Sequence, residues 1–191
     1  MKTLEERIAQ NAIVKGSEVL EVGDFLNRML DPAFLYEMAT EFYNAFGEEQ
    51  ITRVLTVESA GIGLATMTAY RLSTSALYAQ KNKNRVEKDA WIAPVAVKSD
   101  LSLSVPKKYL KRSDHVLIID DFLGTGSATN ALVDIVRQAG ADLVGVGVAI
   151  ERKYLGGGDK LRERGIRLCS LASILFADTE EGIVFKQNSQ M

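Results

Sequence analysis

The sequence is poor in the residues that mark redox or metal chemistry. Cys169 is its single cysteine and His115 its single histidine. One cysteine excludes an internal disulfide and a cysteine-based metal cluster. One histidine leaves no Ser-His-Asp arrangement to build. His115 stands just before a strand and reads as a surface or turn residue, while Cys169 lies in an apolar stretch and reads as packing. No run of 18 apolar residues occurs, so no helical membrane span is expected. Met1 to Gln10 is charged and lacks an apolar signal core, which makes the cytosol the expected compartment. The net charge of −2 argues against general nucleic-acid binding. Internal repeats and low-complexity tracts are missing as well.

What remains is an ordinary globular composition, 47% hydrophobic and 25% charged over 191 residues, enough for one domain (1–191) with a full core. Thr3 and Glu6 have capping-box spacing and predict a short N-terminal helix. Asp31-Pro32 predicts a second helix, with a capping side chain followed by proline at the first helical position. Phe34, Leu35, Met38, Ala39, Phe42 and Phe46 then recur at helical spacing, and Gly47 stops the run.

From Arg53 the pattern becomes an alternation. Val54–Val57 reads as a strand, followed by a helix to about Leu72 and a strand over Ala76–Ala79. Val116–Asp120 reads as a buried strand ending in acids, 128–139 as a helix, and Leu143–Ile150 as the next strand. Such alternation predicts an α/β fold: a mostly parallel central sheet flanked by helices on both faces. Residues 81–112 break the rhythm. They hold nine basic residues against three acids, a net +6, and read as a solvated excursion with a hairpin around Trp91–Val97.

The chemistry concentrates in Val116 to Asn130. A buried strand delivers Asp120 and Asp121 to the carboxyl edge of a sheet, where open α/β sheets bind ligands. Gly124-Thr125-Gly126-Ser127-Ala128-Thr129 follows, offering close backbone approach, hydroxyls and the free N–H groups of a helix start. No lysine sits where a Walker loop needs one, and no glycines precede the acids as a Rossmann turn requires. Two acids before a phosphate loop suit a sugar diol beside a phosphate. Glu58-Ser59-Ala60-Gly61 is a second strand-to-helix turn, with Ser59, Ala60 and Gly61 positioned to meet another anionic group.

The stretch from Val116 to Asn130 resembles the phosphoribosyl-pyrophosphate (PRPP) signature of type I phosphoribosyltransferases. The resemblance implies that fold, with a small hood from about residues 1–30 plus the C-terminal segment, and a flexible basic loop over 81–112. It implies that Asp120 and Asp121 hold the ribose hydroxyls, that Gly124 to Thr129 grip the 5-phosphate, and that Ser59, Ala60, Gly61 and Lys81 restrain pyrophosphate. Lys83 is a lesser companion of Lys81. Mg²⁺ would bridge the pyrophosphate oxygens, without direct side-chain coordination. A homodimer is also implied, with neither membrane nor nucleic acid as partner.

Val19 to Pro32 resembles the hood of bacterial xanthine phosphoribosyltransferases, which implies that Leu20 and Asn27 face the base. Glu151-Arg152-Lys153-Tyr154 ends a strand with a cation and an aromatic ring beside it, so Arg152 and Tyr154 are the other base-facing candidates. Either Arg152 or Lys153 can supply the cation. Gly124 stands where hypoxanthine-guanine enzymes carry an aspartate, which favours other branches. The implied reaction is transfer of ribosyl-5-phosphate from PRPP to N9 of xanthine. The alternatives are another purine phosphoribosyltransferase, on adenine or guanine, or a PRPP-sensing regulator that binds nucleic acid.

Overall fold

The computed structural model describes residues 1–15, 18–21, 26, 29–82, 88–96, 101–179 and 182–186. In chain order the elements are α1 (Lys2–Asn11), β1 (Ile13–Lys15), β2 (Glu18–Glu21), α2 (Pro32–Phe46), β3 (Arg53–Val57) and α3 (Gly61–Arg71). Strands β4 (Ser75–Asn82), β5 (Ala90–Pro94) and β6 (Ser102–Pro106) follow. Then come β7 (His115–Leu123), α4 (Ser127–Ala139), β8 (Asp142–Arg152), a 3₁₀ turn (Lys153–Leu155), α5 (Gly157–Glu163), β9 (Leu168–Asp178) and β10 (Gly182–Phe185).

Among the described residues, the main sheet has the order β10-β9-β8-β7-β3-β4-β6-β5. Its centre, β9 through β4, is parallel, while β10, β6 and β5 pair antiparallel at the edges. Strand β7 shows how the sheet is covered on both faces. Leu117 and Ile119 join the core formed with α1, α2 and α3, while Val116 and Ile118 join the core formed with α4. A continuous apolar run is what a strand needs when helices lie above and below it. β1 and β2 form a separate antiparallel pair. No described helix is long and apolar enough to cross a membrane.

Helix α2 begins as its sequence dictates: the Asp31 side chain accepts the Phe34 N–H at 3.1 Å, and Arg7 donates to the other carboxylate oxygen at 2.9 Å. α1 does not use the expected cap. Met1 occupies the N-cap, Thr3 lies inside the helix, and no side chain caps it.

Three further expectations are corrected. The acids do not end β7, which runs on to Leu123 because β8 continues beside it, pairing Phe122 with Ile150 and Leu123 with Glu151. Lys81 does not follow a strand but lies within β4, paired with Leu103 of β6. Residues 81–112 are not merely a solvated excursion. Ala93, Leu103 and Val105 are fully buried, and β5 and β6 close the sheet. His115, read as a surface or turn residue, is the first residue of β7, and its side chain is partly exposed.

Candidate active site

The carboxyl ends of β3, β4, β7 and β8 meet along one edge of the sheet, and most of the chemistry is there. A cavity of about 320 Å³ opens on that edge and brings together Lys81, residues 124–129, Phe122 and Arg152. Neither acid is among its lining residues: Asp120, two positions before Phe122, is almost fully buried, and Asp121 is half-buried. The Asp121 N–H donates to Asp120 Oδ1 at 3.0 Å. Burial, then the charge and side-chain hydrogen bonding of Asp121, push the Asp120 carboxyl well above the ordinary carboxylate range, and the Asp121 N–H and Lys81 only partly offset this.

Gly126 caps α4 with φ +82°, a left-handed conformation that favours glycine. No side chain satisfies the first amides of α4. Those amides are available to an anion. The Thr125 and Ser127 hydroxyls hydrogen-bond each other at 2.9 Å at the loop's rim. Thr129 is buried beneath it and lines the same cavity.

Arg152, at the end of β8, lies with its guanidinium 5.2 Å from the centre of the Phe122 ring, within cation–π range. It lines the cavity, whereas Lys153 turns away and bonds Asp159 at 2.6 Å. Of the two candidate cations, Arg152 is the one that reaches the site.

Not every expected residue converges. Ser59 and Ala60 line a different cavity of about 510 Å³, more apolar in character, beside Leu30, Leu35 and Met67. Gly61 does approach the acids: a Cβ there would stand 3.0 Å from Asp120 Oδ1 and 2.2 Å from Thr56 Oγ1. Tyr154 packs half-buried against the core that contains α2. Leu20 lies on β2, and Asn27 and Lys83 lie outside the described residues. Cys169 packs against the same core, and burial raises its thiol's pKa, so it is not poised as a nucleophile.

Two residues escaped the sequence reading. Glu58 Oε1 accepts the Lys81 N–H at 2.7 Å, tying the turn after β3 to the cationic end of β4. Phe122, which was given no role, lies beneath the Arg152 guanidinium. Its signal was an aromatic between two carboxylates and a glycine loop. Among the described residues, no three His, Cys, Asp or Glu side chains gather to hold a metal. A divalent ion suits this donor set only if a ligand's own phosphates supply most of its oxygens.

Residues 28–162 match the phosphoribosyl transferase domain family. A Bacillus cytotoxicus protein named xanthine phosphoribosyltransferase is 41% identical over 188 residues, covering 96% of this chain and 94% of the relative. A Bacillus cereus protein of the same name is 41% identical over 93% of this chain and 92% of its own length. Among solved structures, adenine phosphoribosyltransferase from Thermoanaerobacter pseudethanolicus superposes with a TM-score of 0.70 at 20% identity, covering 89% of this chain and 99% of the other. The enzyme from Rhodothermus marinus gives 0.68 at 23% identity, covering 91% and 99%. The sheet order, the acid pair with its glycine loop and the extent of these matches lead to one conclusion: the chain belongs to the phosphoribosyltransferase family.

Proposed function

We propose that the protein transfers ribosyl-5-phosphate from PRPP to N9 of xanthine, releasing pyrophosphate and forming XMP. The observation that carries the choice of base is Arg152, which lines the same cavity as the phosphate loop. Xanthine is the most acidic of the common purine bases, and a guanidinium favours its anion and its carbonyl oxygens. The 41%-identical relatives named for xanthine support the same reading.

In this reading, residues 124–129 hold the 5-phosphate through backbone amides and hydroxyls. Asp120 and Asp121 hold the ribose hydroxyls and favour the positive charge that develops on the sugar as its bond to pyrophosphate breaks. Ser59, Ala60, Gly61 and Lys81 receive the departing pyrophosphate. Leu20, Asn27 and Tyr154 complete the base side. Mg²⁺, when bound, neutralises pyrophosphate charge, with most of its oxygens coming from the substrate. Catalysis is then mainly positioning and electrostatics, because an anionic base needs little help in losing a proton.

A cytoplasmic homodimer belongs to the same reading. Its support is the exposed apolar surface of Met29, Leu30, Tyr36, Tyr43 and Tyr70. Sedimentation tests it, and a monomer at micromolar concentration would remove it. The reaction is tested by following nucleotide formation from PRPP, Mg²⁺ and each purine in turn. Xanthine should give the highest kcat/KM. A better rate with guanine or adenine would overturn the base assignment, and no product with any purine would overturn the reaction.

A further inference from the structure

Next to the site lies a polar cluster built on one buried carboxylate, and it lines neither cavity. Glu151, the penultimate residue of β8, is 1% exposed. Its Oε1 accepts from Arg162 Nη1 at 2.7 Å and its Oε2 from Arg162 Nη2 at 2.7 Å, a bidentate fork. The Ser170 hydroxyl adds a bond to Oε2 at 2.6 Å, and that of Ser173 a longer one at 3.4 Å. Arg162 also reaches Asp159 at 3.2 Å, and Asp159 holds Lys153 at 2.6 Å. One carboxylate thus joins β8, β9 and α5.

Helix α5 is in turn pressed onto the phosphate loop. The Gly157 N–H donates to the Gly124 carbonyl at 3.1 Å. A Cβ on Gly157 would stand 2.2 Å from that carbonyl and 2.6 Å from Gly126 N. A Cβ on Gly158 would stand 2.0 Å from Glu151 Oε1. The first turn of α5 is therefore a spacer one backbone thick, with the Glu151 carboxylate on one side and the phosphate loop on the other. A second brace comes from α4: Asn130 Nδ2 donates to Gly126 O at 2.8 Å, and Arg164 donates to Asn130 Oδ1.

We infer that Glu151 is a positioning residue for the phosphoribosyl donor: through Arg162 and the first turn of α5 it holds the amides of residues 124–126 where a 5-phosphate meets them. This rests on the reading of residues 124–129 as the phosphate grip. Glu151 is buried and Arg162 partly exposed, so their ion pair adds little net stability, but its fork fixes an orientation. A grip made of backbone amides has no side-chain slack, so small displacements of Gly124 or Gly126 weaken it.

The test uses Glu151→Gln and Arg162→Lys in the full-length protein. KM values for PRPP and xanthine are measured separately with kcat, and ribose 5-phosphate binding is measured by calorimetry. Both variants should raise the PRPP KM and the ribose 5-phosphate Kd by about tenfold, with xanthine KM and kcat within about threefold. The double variant should be no worse than the poorer single, since both break one unit. An unchanged ribose 5-phosphate Kd in a folded variant with lowered Tm would overturn the inference, leaving Glu151 a stability brace. So would a loss spread equally over PRPP, xanthine and kcat. If Glu151→Gln does not fold, Arg162→Lys decides alone. Failure of wild-type protein to bind ribose 5-phosphate would instead overturn the phosphate-grip reading, and with it this inference.

Discussion

The Arg152 guanidinium borders the space that a side chain on residue 124 would fill. A Cβ on Gly124 would stand 3.1 Å from Arg152 Nη2 and 3.1 Å from Leu155 Cδ1. The two positions begin from the same rung of the sheet, since Leu123 pairs with Glu151.

Gly124→Asp should therefore pair with Arg152 and draw its charge from the base. We expect kcat/KM for xanthine to fall by about tenfold or more, with a smaller loss for hypoxanthine, which is neutral near pH 7. Gly124→Ala should cost less, because the facing atoms are ends of movable side chains. Steady-state kinetics with both bases checks the pair, and equal losses would dissociate Arg152 from base choice.

Asp120→Asn should abolish most turnover yet stabilise the free protein at neutral pH. The folded Asp120 carboxyl has a raised pKa, chiefly through burial and then through Asp121. Its contribution to stability is thus fully present below the ordinary carboxyl pKa and lost as pH rises toward its folded value. The neutral amide avoids that loss. A Tm gain of about 2–4 °C at pH 7.5, shrinking toward pH 4, is the expected pattern. Thermal scans across that range check it, and a gain that grows on acidification would contradict it.

Glu151 has the opposite sign. Burial opposes its ionisation, but the hydrogen bonds from Arg162 and Ser170 outweigh burial and lower its pKa. Its stabilising contribution is present above the ordinary glutamate pKa and lost as pH falls through the lowered folded value. Denaturant titrations from pH 7 to pH 3 should show wild type losing more stability over that range than Glu151→Gln.

Gly61→Ala should damage catalysis by pushing on Asp120 and Thr56. The added methyl meets Thr56 Oγ1 at 2.2 Å, and that hydroxyl is buried without a hydrogen-bond partner among the described residues. We expect kcat to fall by about tenfold or more, and Thr56→Ala in the same chain to restore part of it by making room. A double variant as poor as the single would place the damage elsewhere.

In the core, Gly147→Ala should cost about 1–3 kcal/mol through overpacking. Its Cβ would stand 2.6 Å from Ile119 Cδ1 and 2.8 Å from Phe42 Cδ1. Denaturant melts check the loss, and kcat in the folded protein should hardly change.

Local chemistry was the legible part of the sequence. Asp31-Pro32 starts α2, and the apolar positions from Phe34 to Phe46 are buried, because capping and periodicity act within a few residues. The β7 acids with the glycine loop were legible for the same reason. What partners decide was not. β7 outruns its apolar core because β8 continues beside it, and Thr3 falls inside a helix that begins one residue earlier. α5 was not expected, because glycine is a poor helix former, yet Gly157 and Gly158 open the helix and serve close approach to the phosphate loop and Glu151. Ser59 and Ala60 kept a local signal, yet the structure puts them on another cavity.

The shared rung of Leu123 and Glu151 has a consequence for how acceptor size is measured. Adjacent strands keep a spacing of about 4.8 Å, set by the peptide backbone. In the proposed function the phosphate end hangs from one strand and the cation that faces the base from its neighbour, so the sheet acts as a rigid ruler with two fixed marks. Substitutions along the ruler can change the charge at a mark but hardly its position. A descendant of this chain that accepted a single-ring base would have to lower its roof, because the floor cannot be shortened.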